Sequence, residues 1–320
     1  MALRRDRSVS GPERPTVRDI EALNRIFADS FTDRYRRDGL VGVRVPQLNP
    51  LVWRYAIEDA GDGAMVWRDA DGHLAAFNIV HQSGAEGWMG PLAVRPDRQS
   101  AGLGKTMIRT GITWLQERGV RTIGLETMPR TVENIGFYSR LGFVPGHLTV
   151  TVTRDLPWRS TGNVELLSAS TARREGRLAE CRALAGRLAA GTDFTRELAL
   201  TDDLRIGDTV LVEEDHRLLG YALWHSAPLA AGRPQEEVRV LKLVSESLPG
   251  FTAVVEAVEN AAIAEGLRRV SLRCQTGFGA AYLGLIQRGY HVHWTDLRMT
   301  LQGYPEITPA EGVLFSNWEI

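Results

Sequence analysis

The stretch Gly119-Val120-Arg121-Thr122-Ile123-Gly124-Leu125 has a counterpart in Gly266-Leu267-Arg268-Arg269-Val270-Ser271-Leu272, 147 residues further on. Leu141-Gly142-Phe143 falls on Arg288-Gly289-Tyr290 at the same spacing, and Ala76-Phe77 matches Gly220-Tyr221 at a slightly shorter one. Landmarks held at one spacing over residues 119–143, with a further match upstream, indicate an internal duplication of a supersecondary unit. The chain is therefore expected to build one order of elements twice. With 320 residues, 43% of them hydrophobic, each half can bury a core without metals or staples.

In the first half, residues 19–29 read as a helix with Ile20, Leu23, Ile26 and Phe27 on one face. Residues 49–58 suggest a second, with Asn49 as cap and Pro50 in the first turn. Residues 64–68 and 73–81 flank Asp71-Gly72, a hairpin signal. A strand at 88–94, a helix at 103–117 closed by Gly119, a strand at 122–128, a short helix at 134–140 and a strand at 148–153 follow. This order implies an α/β (α+β) fold whose mixed, mostly antiparallel sheet is flanked by helices. The expected boundaries are a flexible tail at 1–15, a first domain at 16–153, a linker at 154–162 and a second domain at 163–320, with helical character returning at 169–190.

Charge is balanced, 38 Lys+Arg against 39 Asp+Glu, so no global basic field favours nucleic acid. The two cysteines, Cys181 and Cys274, form no CxxC pair, which argues against a disulfide framework or zinc site and suits a reducing cytoplasm. No apolar run approaches the roughly 20 residues needed to span a bilayer. The Arg-rich start lacks the apolar centre of a signal peptide.

The chemistry gathers where Leu92-Ala93-Val94, a strand end, leads into Gln99-Ser100-Ala101-Gly102-Leu103-Gly104-Lys105-Thr106, which opens a helix. The first N–H groups of a helix lack internal partners and carry the positive end of its dipole, so such a junction binds anions. Gly102 and Gly104 let the backbone approach a phosphate closely, and Lys105 and Thr106 add donors. The P-loop pattern fails because Gln99 stands where its first glycine belongs, and GxGxxG fails at Met107. The pattern Q/R-x-x-G-x-G/A fits throughout. Downstream, Glu133-Asn134-Ile135-Gly136-Phe137-Tyr138-Ser139-Arg140-Leu141-Gly142-Phe143 resembles N-x-x-[AG]-x-x-[FY]-x-x-x-G-F, with Tyr138 at the aromatic position, separated by three residues from Gly142-Phe143.

With these motifs in this order, the chain resembles the GNAT superfamily of acyltransferases, through its motifs over about 16–153 and through duplication alone to about 301. The resemblance implies two tandem GNAT-like domains and acetyl-coenzyme A (acetyl-CoA) as co-substrate, with no metal. It implies that amides of the loop 99–106 hold the coenzyme pyrophosphate and that Leu92-Ala93-Val94 pairs with the pantetheine arm, an N–H near Val94 polarising the thioester. It further implies that Asn134 helps place the arm and that Tyr138 protonates the departing thiolate.

An alkylammonium of pKa near 10.4 is only about 0.04% neutral at pH 7, a shortfall of roughly 4 to 5 kcal/mol, so a general base is useful. Glu126, near a strand end beside the expected thioester, is the first candidate. The seven histidines show no ligand spacing; His81 is a candidate substrate contact. Trp53, Trp67 and Trp88 suit core packing better than a pocket wall, and Arg34-Tyr35-Arg36-Arg37 is a basic run that either meets an anion or is solvated. No placed Cys or Ser nucleophile is evident, so direct attack is expected. At the 147 spacing Gln99, Gly102 and Gly104 become Glu246, Pro249 and Phe251, while Glu126, Asn134 and Tyr138 become Arg273, Ala281 and Leu285. The second half is therefore expected to complete the fold and wall the acceptor pocket without binding coenzyme A. The expected function is N-acetylation of a small-molecule or peptide amine, in the cytoplasm, by a monomer or homodimer. A different acyl-CoA, an oxygen acceptor or a non-enzymatic acyl-CoA sensor stay open.

Overall fold

A computed structural model describes residues 8–157, 162 and 164–319. The start of the expected tail, 1–7, and part of the expected linker, 158–161, lie outside the described residues. In chain order, β1 (Val9–Glu13) is followed by α1 (Ile20–Arg37), which runs past the expected end at 29 because Ser30 and Phe31 continue its inward stripe. The basic run is thus its last turn, where cations meet the negative end of the dipole. α2 (Pro50–Ala60) starts as expected, with Asn49 Oδ1 accepting from the Leu51 N–H at 3.0 Å. β2 (Ala64–Asp69), β3 (Leu74–Ser83), β4 (Glu86–Val94), α3 (Leu103–Glu117), β5 (Thr122–Thr127), α4 (Val132–Ser139) and β6 (Phe143–Asp155) complete the first copy. The second comprises β7 (Glu165–Leu166), α5 (Arg174–Leu188), α6 (Thr195–Leu204), β8 (Gly207–Glu214), β9 (Arg217–His225), β10 (Glu237–Ser245), α7 (Leu248–Ala264), β11 (Arg269–Gln275), α8 (Gly279–Gln287) and β12 (His291–Leu301). A last strand, β13 (Val313–Ser316), extends it. The duplicated glycines sit where the backbone turns left-handed after a helix: Gly119 and Gly266 have φ of 67° and 75°, Gly142 and Gly289 of 94° and 92°.

The described strands form one 13-stranded sheet in the order β1-β2-β3-β4-β5-β12-β6-β11-β10-β9-β8-β7, with β13 beside β10. The pairs β4–β5 and β10–β11 are parallel and the other pairs antiparallel. The tandem duplication is present, but the copies trade closing strands. β12 lies between β5 and β6, and β6 lies between β12 and β11. Both are long, β6 is rich in β-branched residues, and they pair with each other from His291↔Thr153 to Leu301↔Phe143. The limits at 153 and 163 therefore mark copies in the sequence and not separable bodies. Part of the stretch read as a flexible tail is also ordered: Val9 pairs with Asp69, Ser10 with Arg68, and Arg68 bridges Glu13 and Asp19 at 3.0 and 2.9 Å.

β4 and β5 pair over residues 86–89 and 122–125 and then part, leaving 90–94 without a neighbour on that side. β10 and β11 part in the same way after Val240 and Leu272, but there β13 pairs with residues 242–245 and fills the gap. The connections differ as well. Residues 95–102 join β4 to α3, whereas Glu246 and Ser247 alone join β10 to α7. Pro249 and Phe251, matched to Gly102 and Gly104 by constant spacing, lie inside α7, so the second copy has no counterpart of the loop. Beyond β13, Trp318 enters the first copy's core beside Trp53, Phe77 and Trp88. It lies on Gly124, where a Cβ would come within 2.2 Å of the indole.

Because β12 fills the space between β5 and β6, residues 8–157 expressed alone should be insoluble or lack a cooperative transition. Co-expression with residues 164–319 should restore a soluble complex, as read by gel filtration and thermal melting.

Candidate active site

Gln99 Nε2 donates to the Val94 carbonyl at 3.1 Å, folding the loop back onto the end of β4. Ser100 has φ of 65°, and Gly102, the residue before α3, has φ of 84°, a conformation costly for residues with a Cβ. Gly104 faces Phe137 and Val94 closely enough that a Cβ would lie 3.6 and 3.9 Å from them. Its bare backbone thereby keeps the floor open. The resulting cleft, of about 610 Å³, is walled by the first turn of α3, by α4 and by five basic side chains: Arg34, Arg37, Arg98, Lys105 and Arg140. Unpaired helix amides and basic groups around a glycine floor suit a polyphosphate. Arg34 is held there by Asp38 and Glu133, each at 2.6 Å.

Gln99, Ser100, Gly102, Leu103, Gly104, Lys105, Val94 and Asn134 line this cleft. Ala101 and Thr106 are not among its lining residues; the Thr106 hydroxyl turns back to the Gly102 carbonyl at 3.5 Å. Leu92, Ala93, Val94, Asn134 and Tyr138 line an adjoining waist of about 240 Å³. The waist shares Leu92, Asn134 and Tyr138 with a deeper cavity of about 360 Å³. Cleft, waist and cavity thus follow one another along the open edge of β4. Tyr138 is buried on α4 against Phe137 and Phe143. Burial pushes its phenol up to about 12, so it stays protonated throughout the neutral range. Asn134 Nδ2 reaches Thr127 Oγ1 at 3.5 Å at the junction of the spaces.

The deep cavity draws on both copies: Phe27, Phe31 and Tyr35 from α1, Glu126 from β5, Leu229 and Ala230, Trp294 and Asp296 from β12, and Trp318 and Glu319 after β13. Glu126 lies in its wall with its charge committed. It accepts from Thr149 Oγ1 at 2.6 Å, pairs with Arg273 and lies 3.5 Å from Arg298 Nε. Burial works to raise its pKa, but the two guanidinium groups and Thr149 outweigh it and hold the carboxyl below its ordinary range. Burial raises Asp296, against the pull of Arg273 at 3.1 Å. Burial, with Asp296 and Glu126 adding to it, pushes Glu319 to about 7 although Arg273 Nη1 lies 2.9 Å away.

His81, a candidate substrate contact, is fully buried instead, bonded to Asp59 and stacked on Trp88 at 3.9 Å. Trp53, Trp67 and Trp88 are core residues. The residues that sequence reasoning missed come from beyond 290. Trp294, Asp296 and Arg298 alternate on one face of β12, so an acid and an arginine on a buried strand face were an available signal. Trp318 and Glu319 carried no local pattern.

Residues 21–143 match the model of the acetyltransferase (GNAT) family. Mycothiol acetyltransferase of Clavibacter sepedonicus is 34% identical over 76 residues, 24% of this chain and 25% of that protein. A ribosomal-protein alanine N-acetyltransferase of Escherichia coli is 37% identical over 73 residues, 23% of this chain and 49% of that protein. The chain thus spans about a quarter of the first relative and half of the second. A tandem GNAT protein from the clavulanic acid biosynthesis pathway superposes with a TM-score of 0.55 at 12% identity, covering 94% of this chain and 100% of that one, a likeness of fold. Residues 21–143 thus match the GNAT family's domain, and the chain as a whole shares the fold of a tandem GNAT protein.

Proposed function

We propose that this chain is an acetyl-CoA-dependent N-acetyltransferase with one active site, in the first copy, acting on an amine of a small molecule or peptide by direct attack. The observation that carries this reading is the continuous passage from the basic cleft at the glycine loop, past Tyr138, into a cavity walled by both copies. Loop amides and basic side chains suit the coenzyme phosphates. The open edge of Leu92-Ala93-Val94 suits the amide-bearing pantetheine arm, as an added strand suits a sheet edge. That places the thioester at the waist, where a backbone N–H of this edge polarises the carbonyl and the acceptor arrives from the cavity. Tyr138, held protonated, gives its proton to the departing sulfur.

Direct attack is favoured because the Ser30 hydroxyl at the waist is spent on the Val94 carbonyl, at 3.1 Å, and Cys181 and Cys274 are buried in the second copy's core. That copy offers no donor site in this reading, since it lacks the loop and β13 occupies the matching strand edge. We place the protein in the cytoplasm as a monomer, its exchanged strands doing within one chain what a dimer interface would do. No helix among the described residues is long and apolar enough to cross a membrane.

Thiol release from acetyl-CoA across a panel of primary amines tests the activity; release with none of them would leave an acyl-CoA sensor as the better reading. Tyr138→Phe should lower kcat by about 10²-fold or more while acetyl-CoA affinity measured by calorimetry stays within about twofold. Unchanged turnover would remove Tyr138 from the role.

A further inference from the structure

We propose that the deep cavity accepts a primary amine carried on a single ring-bearing, apolar body, and that Glu319 holds its ammonium and takes its proton. This rests on the acyltransferase reading above and adds to it the acceptor class and the base.

The walls set the body of the acceptor. The rings of Phe27 and Phe31 lie 4.5 Å apart, those of Tyr35 and Trp294 6.5 Å apart, both pairs tilted, and Met128 and Leu229 complete an apolar surround. About 360 Å³ suits one small ring system. Among the described residues, the carboxylates in this wall gather at one place, so a polycation would find one anchor and otherwise hydrocarbon.

Charge sets the head group. Oxygens of Glu126, Asp296 and Glu319 lie within 4.8 Å of one another around the single guanidinium of Arg273. The nearest second cation, Arg298, is shared between Glu126 at 3.5 Å and Glu306 at 2.8 Å. Arg34, a cation of the same wall, is spent on Asp38 and Glu133, so the three carboxylates have only Arg273 and a shared Arg298, and a bound ammonium makes up the deficit of countercharge there. A neutral acceptor leaves that deficit and an anionic one deepens it.

Glu319 is the member placed to meet it. Its side chain is 50% exposed, against 5% for Asp296 and 2% for Glu126. The backbone presenting it is fixed: the Asn317 amide accepts from the Glu319 N–H and donates to its carbonyl, both at 3.2 Å. Trp318 is clamped between Gly124 and the Arg298 guanidinium, 3.5 Å from its ring, and donates to Glu86 at 2.5 Å. The charged and titratable groups acting on Glu319 are Arg273 on β11, Asp296 on β12, Glu126 on β5, Arg239 on β10 and Tyr35 on α1. The causes that leave it near 7 act on a side chain that keeps half its surface open to solvent, so it can both bind an ammonium and shed a proton. Glu126, held low by its partners, makes a weaker base.

The proton balance closes. Glu319 takes one proton from the ammonium, and the free amine forms the C–N bond to the acetyl carbon. The C–S bond breaks as Tyr138 protonates the sulfur. The second N–H proton returns through water to Tyr138, and Glu319 releases its proton to solvent, giving amide, thiol and one proton.

The test uses the full chain, a panel of ring-bearing monoamines including benzylamine and tyramine, spermidine, an alanine-initiated peptide, and O-benzylhydroxylamine, which is uncharged at neutral pH. Wild type should favour the ring-bearing monoamines, with log kcat/KM rising to a plateau through an inflection near 7 assigned to Glu319. Glu319→Gln should lower kcat/KM for benzylamine at pH 7 by about 10²-fold or more, remove that inflection and leave the rate climbing with pH as free amine accumulates. Its loss with O-benzylhydroxylamine should be under about tenfold, since no proton must be removed before attack. Glu319→Asp should recover part of the rate, and the melting temperature and acetyl-CoA affinity of both variants should match wild type. An equal loss for charged and uncharged acceptors, an unchanged pH profile, or preference for spermidine or the peptide would overturn the proposal and leave the acyltransferase reading standing. Thiol release with no amine at all would overturn both.

Discussion

Glu126 and Arg273 occupy the same place in the two copies, 147 residues apart, and they form an ion pair with each other. An exchange of closing strands brings β5 and β11 to either side of β12 and β6, so equivalent positions meet near the centre of the sheet. Identical charged residues there would face each other buried, a repulsive arrangement costing several kcal/mol. Divergence to opposite charge makes the joint compatible with burial. Removing either partner would leave the other with less countercharge: Glu126 would keep Arg298 at 3.5 Å, and Arg273 would keep Asp296 and Glu319. The pair also commits the charge of Glu126 and helps hold its carboxyl below the ordinary range.

The copies also differ at the edges of their parallel strand pairs. Each parallel strand pair opens into a gap on one edge. In the first copy the gap stays open and leads to the glycine loop, whereas in the second β13 fills it and the loop is reduced to Glu246 and Ser247. The filling segment does not stop there. It carries Trp318 into the first copy's core and Glu319 into the cavity. The edge that stays open in one copy is, in the other, covered by the segment that walls the first copy's cavity.

Much of this was legible in the sequence. The duplication was readable because its landmarks are glycines at left-handed positions, Gly119 with Gly266 and Gly142 with Gly289, which tolerate little substitution. The loop was readable because Gln99, Gly102 and Gly104 serve backbone geometry. Strand exchange was not, since the alternation in β6 and β12 is the same whichever neighbour each strand finds. The shortened loop hid behind the constant spacing. Glu86 and Glu237 start equivalent parallel pairs 151 residues apart, yet the helix ends are 147 apart, because α7 is longer than α3 and the connection before it is shorter. The pairing of Glu126 was not legible, because it looks solvent-exposed at a strand end until Arg273 and Arg298 arrive from the other copy.

The central claim is that two related copies make one site, with the donor taken only where the gap is open. Calorimetric titration of the whole chain with acetyl-CoA measures this most directly. The account predicts one molecule bound per chain. Two molecules per chain, or none, would contradict it.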